Sequence, residues 1–393
     1  MGKDEIPLII KVQEYLNEKF EFRYNVVLGR TEFKLKEAHN YSKMVDYNLN
    51  SIHLGLKEAG YRIGVEELRN LLKSRYVPMY NPFKQYFEGL PMWDEETDHI
   101  SMLASTVKTT NDDFWQFAFK KWFVGMVGSL LVDEVINHSF LIFTGNQGIG
   151  KTTFMEKLVP KELKEYYYEG TIYPSSSDSK IQLAENMLIN IDELQGLYHK
   201  TMEDLKALIT TKEVKVRRPY ATIHEPLPHR ASFVGSANST DFLSDVTGNR
   251  RFLCFEVLSI DNSGVISMND VYAQAKHLFE SGFRYWFNQE EIALINENSE
   301  GFKTNSMEED TLLKCIEPCE EHNENAQFGT TTEIMSILVA YEPKIRVNQS
   351  SLQKLGKLLS NKYEFRKVKK GGVYGYFYKR KNIISRYVPV NQQ

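Results

Sequence analysis

Cysteine is scarce, with three residues in a chain of 393. That excludes a disulfide scaffold and fits a reducing, cytoplasmic setting. Long apolar runs are missing too. The longest, residues 122–131, is about half of what a bilayer needs and is flanked by Lys120, Lys121, Asp133 and Glu134, so no membrane partner is expected. The start, MGKDEIPLIIKVQEY, has an acid-rich head and only a short apolar patch, unlike a secretory leader. What is present is an apolar fraction of 42%, enough for packed cores and too much for a wholly disordered chain.

The formal net charge of -4 conceals an asymmetry. Residues 331–393 hold 13 Lys and Arg against 3 Asp and Glu, which leaves 35 against 49 for the rest. A basic tail on an acidic body suits a polyanionic partner, although charge alone leaves a solvated basic face open.

Periodicity divides the chain into five parts. Residues 1–80 read as a small α+β unit, with a hairpin over 21–36 around Gly29 and helices near 47–58 and 65–74. Residues 81–135 read as a helical lead-in, with Phe114, Phe117, Trp122, Val124, Val127 and Leu131 on one buried side. Residues 136–290 alternate strands (140–144, 187–191, 232–236, 251–257) with helices, the pattern of an α/β sheet covered by helices. Residues 291–326 read as an acidic linker, and 327–393 as a basic helix–turn–helix–hairpin module.

The strongest signal is Gly145-Asn146-Gln147-Gly148-Ile149-Gly150-Lys151-Thr152, followed by Thr153. It fits G-x-x-x-x-G-K-[ST] between an apolar strand and a helix. Glycines let several N–H groups converge on phosphates, Lys151 adds a cation, and the Thr152 hydroxyl can ligate Mg²⁺. ATP with Mg²⁺ is the expected ligand. The run Leu188-Ile-Asn-Ile-Asp192-Glu193 supplies acids at a strand end. Asp192 is placed on Mg²⁺, and Glu193 as the base that polarises water. Asn238, at the tip of the 232–236 strand, is placed on the water or the γ-phosphate, with a turn-cap role as its plain alternative. Arg250 and Arg251 open a further strand. One reading sends a guanidinium into a neighbour's ATP site; the other pairs the two within the chain, with Asp245 or Glu256.

Two basic surfaces suit nucleic acid. One is the segment with Lys212, Lys215, Arg217 and Arg218, ending at Pro219 and followed by His224, His229 and Arg230. The other is the C-terminal module, read as a winged helix, with Lys354 and Lys357 on the second helix and Lys369 and Lys370 on the wing. A solvated hairpin and a protein-docking winged helix are the respective alternatives. Cys315, Cys319 and His322 lie close in sequence but lack a fourth zinc ligand.

Taken together, the segment Asn81-Pro-Phe-Lys-Gln-Tyr-Phe-Glu-Gly-Leu-Pro-Met-Trp-Asp94, the loop GNQGIGKTTF, the strand INIDEL, VKVRRPY, SFVGSANST and TGNRRF resemble, in that order, the virulence-associated protein E (VapE) family. Its ATPase belongs with the superfamily 3 helicases of viruses and mobile elements. The resemblance implies a P-loop NTPase core of the ASCE/AAA+-like kind. It also implies the roles given above to Lys151, Thr152, Asp192, Glu193 and Asn238, and an arginine finger at Arg250 or Arg251. By extension, the chain is expected to form a ring of six that moves on single-stranded or forked DNA during replication of a phage or mobile element. A primase would be a separate partner, since 1–80 lacks a convincing set of metal-binding carboxylates. The alternative from another class is a nucleotide-driven switch in defence or regulation that binds DNA without unwinding it.

Overall fold

The computed structural model describes residues 6–174, 176–192, 194, 199–218, 224–238, 243, 249–302, 307–363 and 365–381. They fall into two compact units, one within 1–242 and 247–301, the other within 243–246 and 302–393.

In the first unit, the Leu8–Lys19 helix buries Val12 and Leu16 at i, i+4 spacing. The hairpin Phe20–Asn25 / Arg30–Leu35 pairs Phe22 with Phe33 in register. Gly29 turns it with φ of 62°, in the left-handed region that favours glycine. Helices Asp46–Glu58 and Val65–Leu72 close a local core of Leu49, Ile52, Leu56, Leu68 and Leu72 over the hairpin.

The main sheet has six strands in the order Val107–Thr109, Phe252–Ile260, Phe140–Thr144, Ser232–Ser236, Leu188–Ile191, Tyr167–Glu169. All neighbours run parallel except the Val107–Thr109 edge, which is antiparallel. Three inner strands are buried at every position, as a sheet covered on both faces requires. The mixed α/β class and four sequence-expected strands are therefore present, while the short edges 107–109 and 167–169 were not foreseen.

The Asp112–Leu131 helix covers one face. Asn111 caps it by accepting from the Phe114 N–H at 3.3 Å, and Asp112 and Asp113 favour its positive end. Sequence periodicity expected one buried side, but beyond its first turn the helix is buried nearly all round, and Phe117 is its exposed large apolar side chain. Trp115 sits at its centre, fully buried, its ring 5.2 Å from Phe143, 5.0 Å from Phe255 and 6.5 Å from Phe154. Its Nε1–H donates to the Ala104 carbonyl at 2.8 Å. Trp115→Ala will therefore cost about 3–5 kcal/mol through the cavity it leaves. Denaturant unfolding followed by circular dichroism reads this directly, and a loss under about 1.5 kcal/mol would mean the aromatic cluster collapses to refill the space.

The acidic 291–326 stretch is not a linker. The Gln289–Glu300 helix continues the first unit, burying Ile295 and donating from Asn298 Nδ2 to the Cys254 carbonyl at 2.7 Å. Its capping box, Asn288 with Glu291, explains why acids gather there: they serve the helix start. The Met307–Cys315 helix opens the second unit and buries Leu312. That unit continues with strand Gln327–Gly329, helices Thr331–Tyr341 and Gln349–Lys357, and the hairpin Lys367–Lys370 / Val373–Arg380. Gln327–Gly329 pairs one side of Val373–Arg380, and Ile316–Pro318 shares the other with Lys367–Lys370. Ile334, Leu338, Leu355, Leu359 and Tyr376 form its core.

Candidate functional site

The loop after the Phe140–Thr144 strand folds as its glycines allow. Gly145, Gly148 and Gly150 all take positive φ, at 125°, 85° and 91°. A Cβ on Gly145 would lie 2.5 Å from the Val257 carbonyl oxygen, so only glycine lets the loop leave the sheet here. The Lys151–Lys157 helix follows, and the Phe154 N–H donates to the Gly150 carbonyl at 2.9 Å, closing its first turn.

Lys151 is buried, and its ammonium folds back onto the loop. It donates to the carbonyls of Gly145 at 2.7 Å and Asn146 at 2.9 Å. Burial pulls its pKa below the usual lysine value, while the Asp192 charge opposes that shift. The loop thus holds a cation against its own carbonyls, with Asp192 near enough to act on it.

Asp192 follows the Leu188–Ile191 strand directly. This strand is not the neighbour of Phe140–Thr144, because Ser232–Ser236 runs between them. Ser236 Oγ bridges the gap by donating to Asp192 Oδ1. Backbone bonds fix the three strand ends together: Ala237 N–H to the Phe143 carbonyl at 2.9 Å, and Leu194 N–H to the Ser236 carbonyl at 3.0 Å. Gln147, Gly148, Gly150, Lys151, Thr152, Thr153, Asp192, Ser236 and Asn238 line one cavity of about 290 Å³ at this edge. Loop, acid and Asn238, far apart in the chain, therefore meet. Of the other loop residues, Gly145 and Asn146 serve Lys151, and Ile149 packs into the core. Glu193 lies outside the described residues, as do Pro219, Asp245 and the rest of 244–248. Ser236 was not singled out from sequence; its place as the last residue of the strand beside the acid was the signal.

Arg250 and Arg251 are not brought to this cavity. Phe252–Ile260 runs parallel to Phe140–Thr144 with Phe252 opposite Phe140, so both arginines lie at the strand starts, while the loop leaves from the ends. Five strand residues separate the two edges, roughly 16 Å. Glu256, the described candidate partner for them, sits along the strand opposite Thr144, at the far end from both arginines.

The hairpin Glu213–Val216 / Glu225–Pro228 exposes Lys212, Lys215 and Arg217. Arg218 is a correction. It is held within the chain by Glu185 and by the Val27 carbonyl, to which its Nη2 donates at 2.8 Å. His229 and Arg230 are buried as well. The two His229 ring nitrogens lie 2.7 and 3.0 Å from the Thr211 and Ala231 carbonyl oxygens, which accept from its N–H, and burial lowers its pKa to about 4. Arg230 pairs with Asp133 at 2.9 Å. A run of cations in sequence thus splits into exposed and structural members. In the second unit Lys354, Lys357, Lys369 and Lys370 are exposed, with Lys370 3.1 Å from Glu321. Among the described residues no group of three His, Cys, Asp or Glu could hold a metal, and no helix is long and apolar enough to cross a membrane.

Comparison with known proteins adds the following. A family model described as the virulence-associated protein E-like domain matches residues 87–304. An apo structure of the NrS-1 C-terminal region (305–718) aligns with 96% of this chain and all of its own, at 13% identity and a TM-score of 0.50. An A-form apo structure of the same region aligns over the same shares at 14% identity and a TM-score of 0.46. The first likeness supports the fold. No curated protein matches.

Proposed function

The chain belongs to the virulence-associated protein E-like family, and on that premise we propose that it is an ATP-hydrolysing motor of the superfamily 3 type that acts on DNA. The observation that carries this reading is the meeting of Lys151, Thr152, Asp192, Ser236 and Asn238 in one cavity at the ends of parallel strands. The strand inserted between the loop strand and the acid strand supports the reading of an ASCE-like P-loop core. The donor set suits Mg²⁺: one carboxylate, Asp192, and one hydroxyl, Thr152, leave most of an octahedral shell to phosphates and water. Bound there, Mg²⁺ would neutralise charge on the β- and γ-phosphates. Lys151 would turn from its loop carbonyls to the same oxygens, and Asn238 would orient water.

Arg250 and Arg251 stand too far from this cavity to serve it in the same chain, which favours a ring in which each subunit reaches into its neighbour's site. We take Lys212, Lys215 and Arg217 as the cations that track a DNA backbone. The second unit runs helix, two short strands, helix, helix, hairpin, and its last helix pair and hairpin suit a winged helix with Lys354, Lys357, Lys369 and Lys370 facing phosphates. The setting is replication of a phage or mobile element.

The test is steady-state ATP hydrolysis with and without single-stranded DNA, paired with displacement of an annealed strand. A motor will hydrolyse faster with DNA and release the strand. Slow turnover indifferent to DNA would overturn the motor reading in favour of a nucleotide-driven switch.

A further inference from the structure

A second cavity, about 340 Å³, opens at the sheet edge away from the phosphate loop. His138, Arg250, Arg251, Tyr285, Trp286 and Phe287 are among its walls. Its charge is unbalanced. Neither arginine makes an ion pair or hydrogen bond with another described residue, although adjacent guanidinium groups repel. Burial lowers the pKa of Arg251, and the Arg250 charge adds to that. The nearby acids are engaged elsewhere: Glu203 accepts from Lys206 at 2.9 Å, and Glu291 accepts from Lys121 and from Arg284 at 2.6 Å. Two cations facing a concavity with no anion of their own among the described residues call for one from outside.

The aromatic wall is built rather than incidental. Trp286 is 57% exposed, yet its loop is pinned from beneath. Lys121, buried in the Asp112–Leu131 helix, donates to the carbonyls of Arg284 at 2.9 Å and Trp286 at 3.1 Å. Glu291 compensates the buried ammonium at 3.2 Å. Tyr285 braces the indole edge-on, with ring centroids 5.3 Å apart. An exposed indole held in place on the same cavity as two guanidinium groups offers a stacking face and a phosphate clamp together. Burial, with the charges of Arg251 and Lys212 behind it, lowers the pKa of His138.

We propose that this cavity is a second nucleotide-recognition site, in which Arg250 and Arg251 hold a phosphate and Trp286 stacks on the base. Its size is at the low end for a small-molecule site, matching a base and one phosphate more than a whole triphosphate. The nucleotide comes either free from solution or from the phosphate loop of a second copy; the latter source rests on the function proposed above.

Trp286 is itself the probe: Trp115 and Trp122 are fully buried and Trp93 is half-buried beside His277, and the Trp286→Phe variant subtracts the signal of all three. In one arm, full-length Lys151→Ala protein is titrated with ADP while tryptophan fluorescence is followed. Saturable quenching that disappears in Lys151→Ala/Trp286→Phe, and weakens at least tenfold in Lys151→Ala/Arg250→Ala/Arg251→Ala, supports a site for free nucleotide. In the other arm, Lys151→Ala chains are mixed with Trp286→Phe chains whose loop is untouched. Quenching that arises only in the mixture supports delivery by a second copy. A Trp286 signal flat in both arms, or moved by a DNA oligonucleotide and not by ADP, overturns the proposal. The loop reading is judged separately, by loss of fluorescent-nucleotide binding from wild type to Lys151→Ala.

Discussion

Lys151→Ala will abolish ATP turnover, by at least about 10²–10³-fold, because the preorganised cation nearest the transferred phosphoryl group is gone. The fold will survive. Among the described residues the ammonium hydrogen-bonds to the Gly145 and Asn146 carbonyls, and leaving them without that donor costs about 1–3 kcal/mol at most. Lys151→Met, which keeps the stem that packs beneath the loop, should be equally inactive and closer to wild type in stability. Phosphate release and thermal melting read the two effects apart. Turnover equal to wild type in either variant would reject the loop as the catalytic phosphate site, whatever its shape.

Arg251→Ala will lower turnover by about 10³–10⁵-fold if its guanidinium completes a neighbour's site. The distinguishing feature is how activity responds to mixing. Because the arginine and the loop lie at opposite edges of one sheet, a mutant subunit should impair its partner as well as itself. Activity of wild type mixed with increasing Arg251→Ala chain will then fall faster than dilution. A straight-line fall would confine Arg251 to its own subunit, and Arg250→Ala tested alongside would assign the role between the two. Arg251 is the better candidate since it directly precedes the Phe252–Ile260 strand, whose pairing fixes its position.

Much of this was legible in the sequence for definite reasons. The strands Phe140–Thr144 and Ser232–Ser236 are short, wholly apolar or small, and bounded by glycine or polar turns, so their limits could be read from composition. The Gly145–Thr152 loop was legible because its glycines answer a backbone requirement that no other residue meets. What escaped was long-range. Tyr167–Glu169 and Val107–Thr109 are three-residue edges whose strand character comes from a partner, not from their own propensity. Arg218 looked like a cation for DNA because nothing local announces that Glu185 and Val27 would claim it. The acidic run at 291–326 looked unstructured because helix-capping acids and a linker have the same composition. Lys121 gave no hint that a lysine inside an apolar helix would pin the aromatic loop at 284–287.

The strand order has a consequence of its own. Strands in a sheet sit about 4.8 Å apart, so one intervening strand sets the acid roughly 9.6 Å from the strand that feeds the loop. That spacing is quantised: mutation of side chains cannot stretch or shrink it by fractions, and only the loss of a whole strand would change it. The Ser232–Ser236 strand is thus a shim of fixed thickness. Surface drift over evolutionary time can rework charge, partners and edges while the gauge between lysine and carboxylate stays constant. Ser236 is then left with one adjustable duty, to aim the Asp192 carboxylate across that gap.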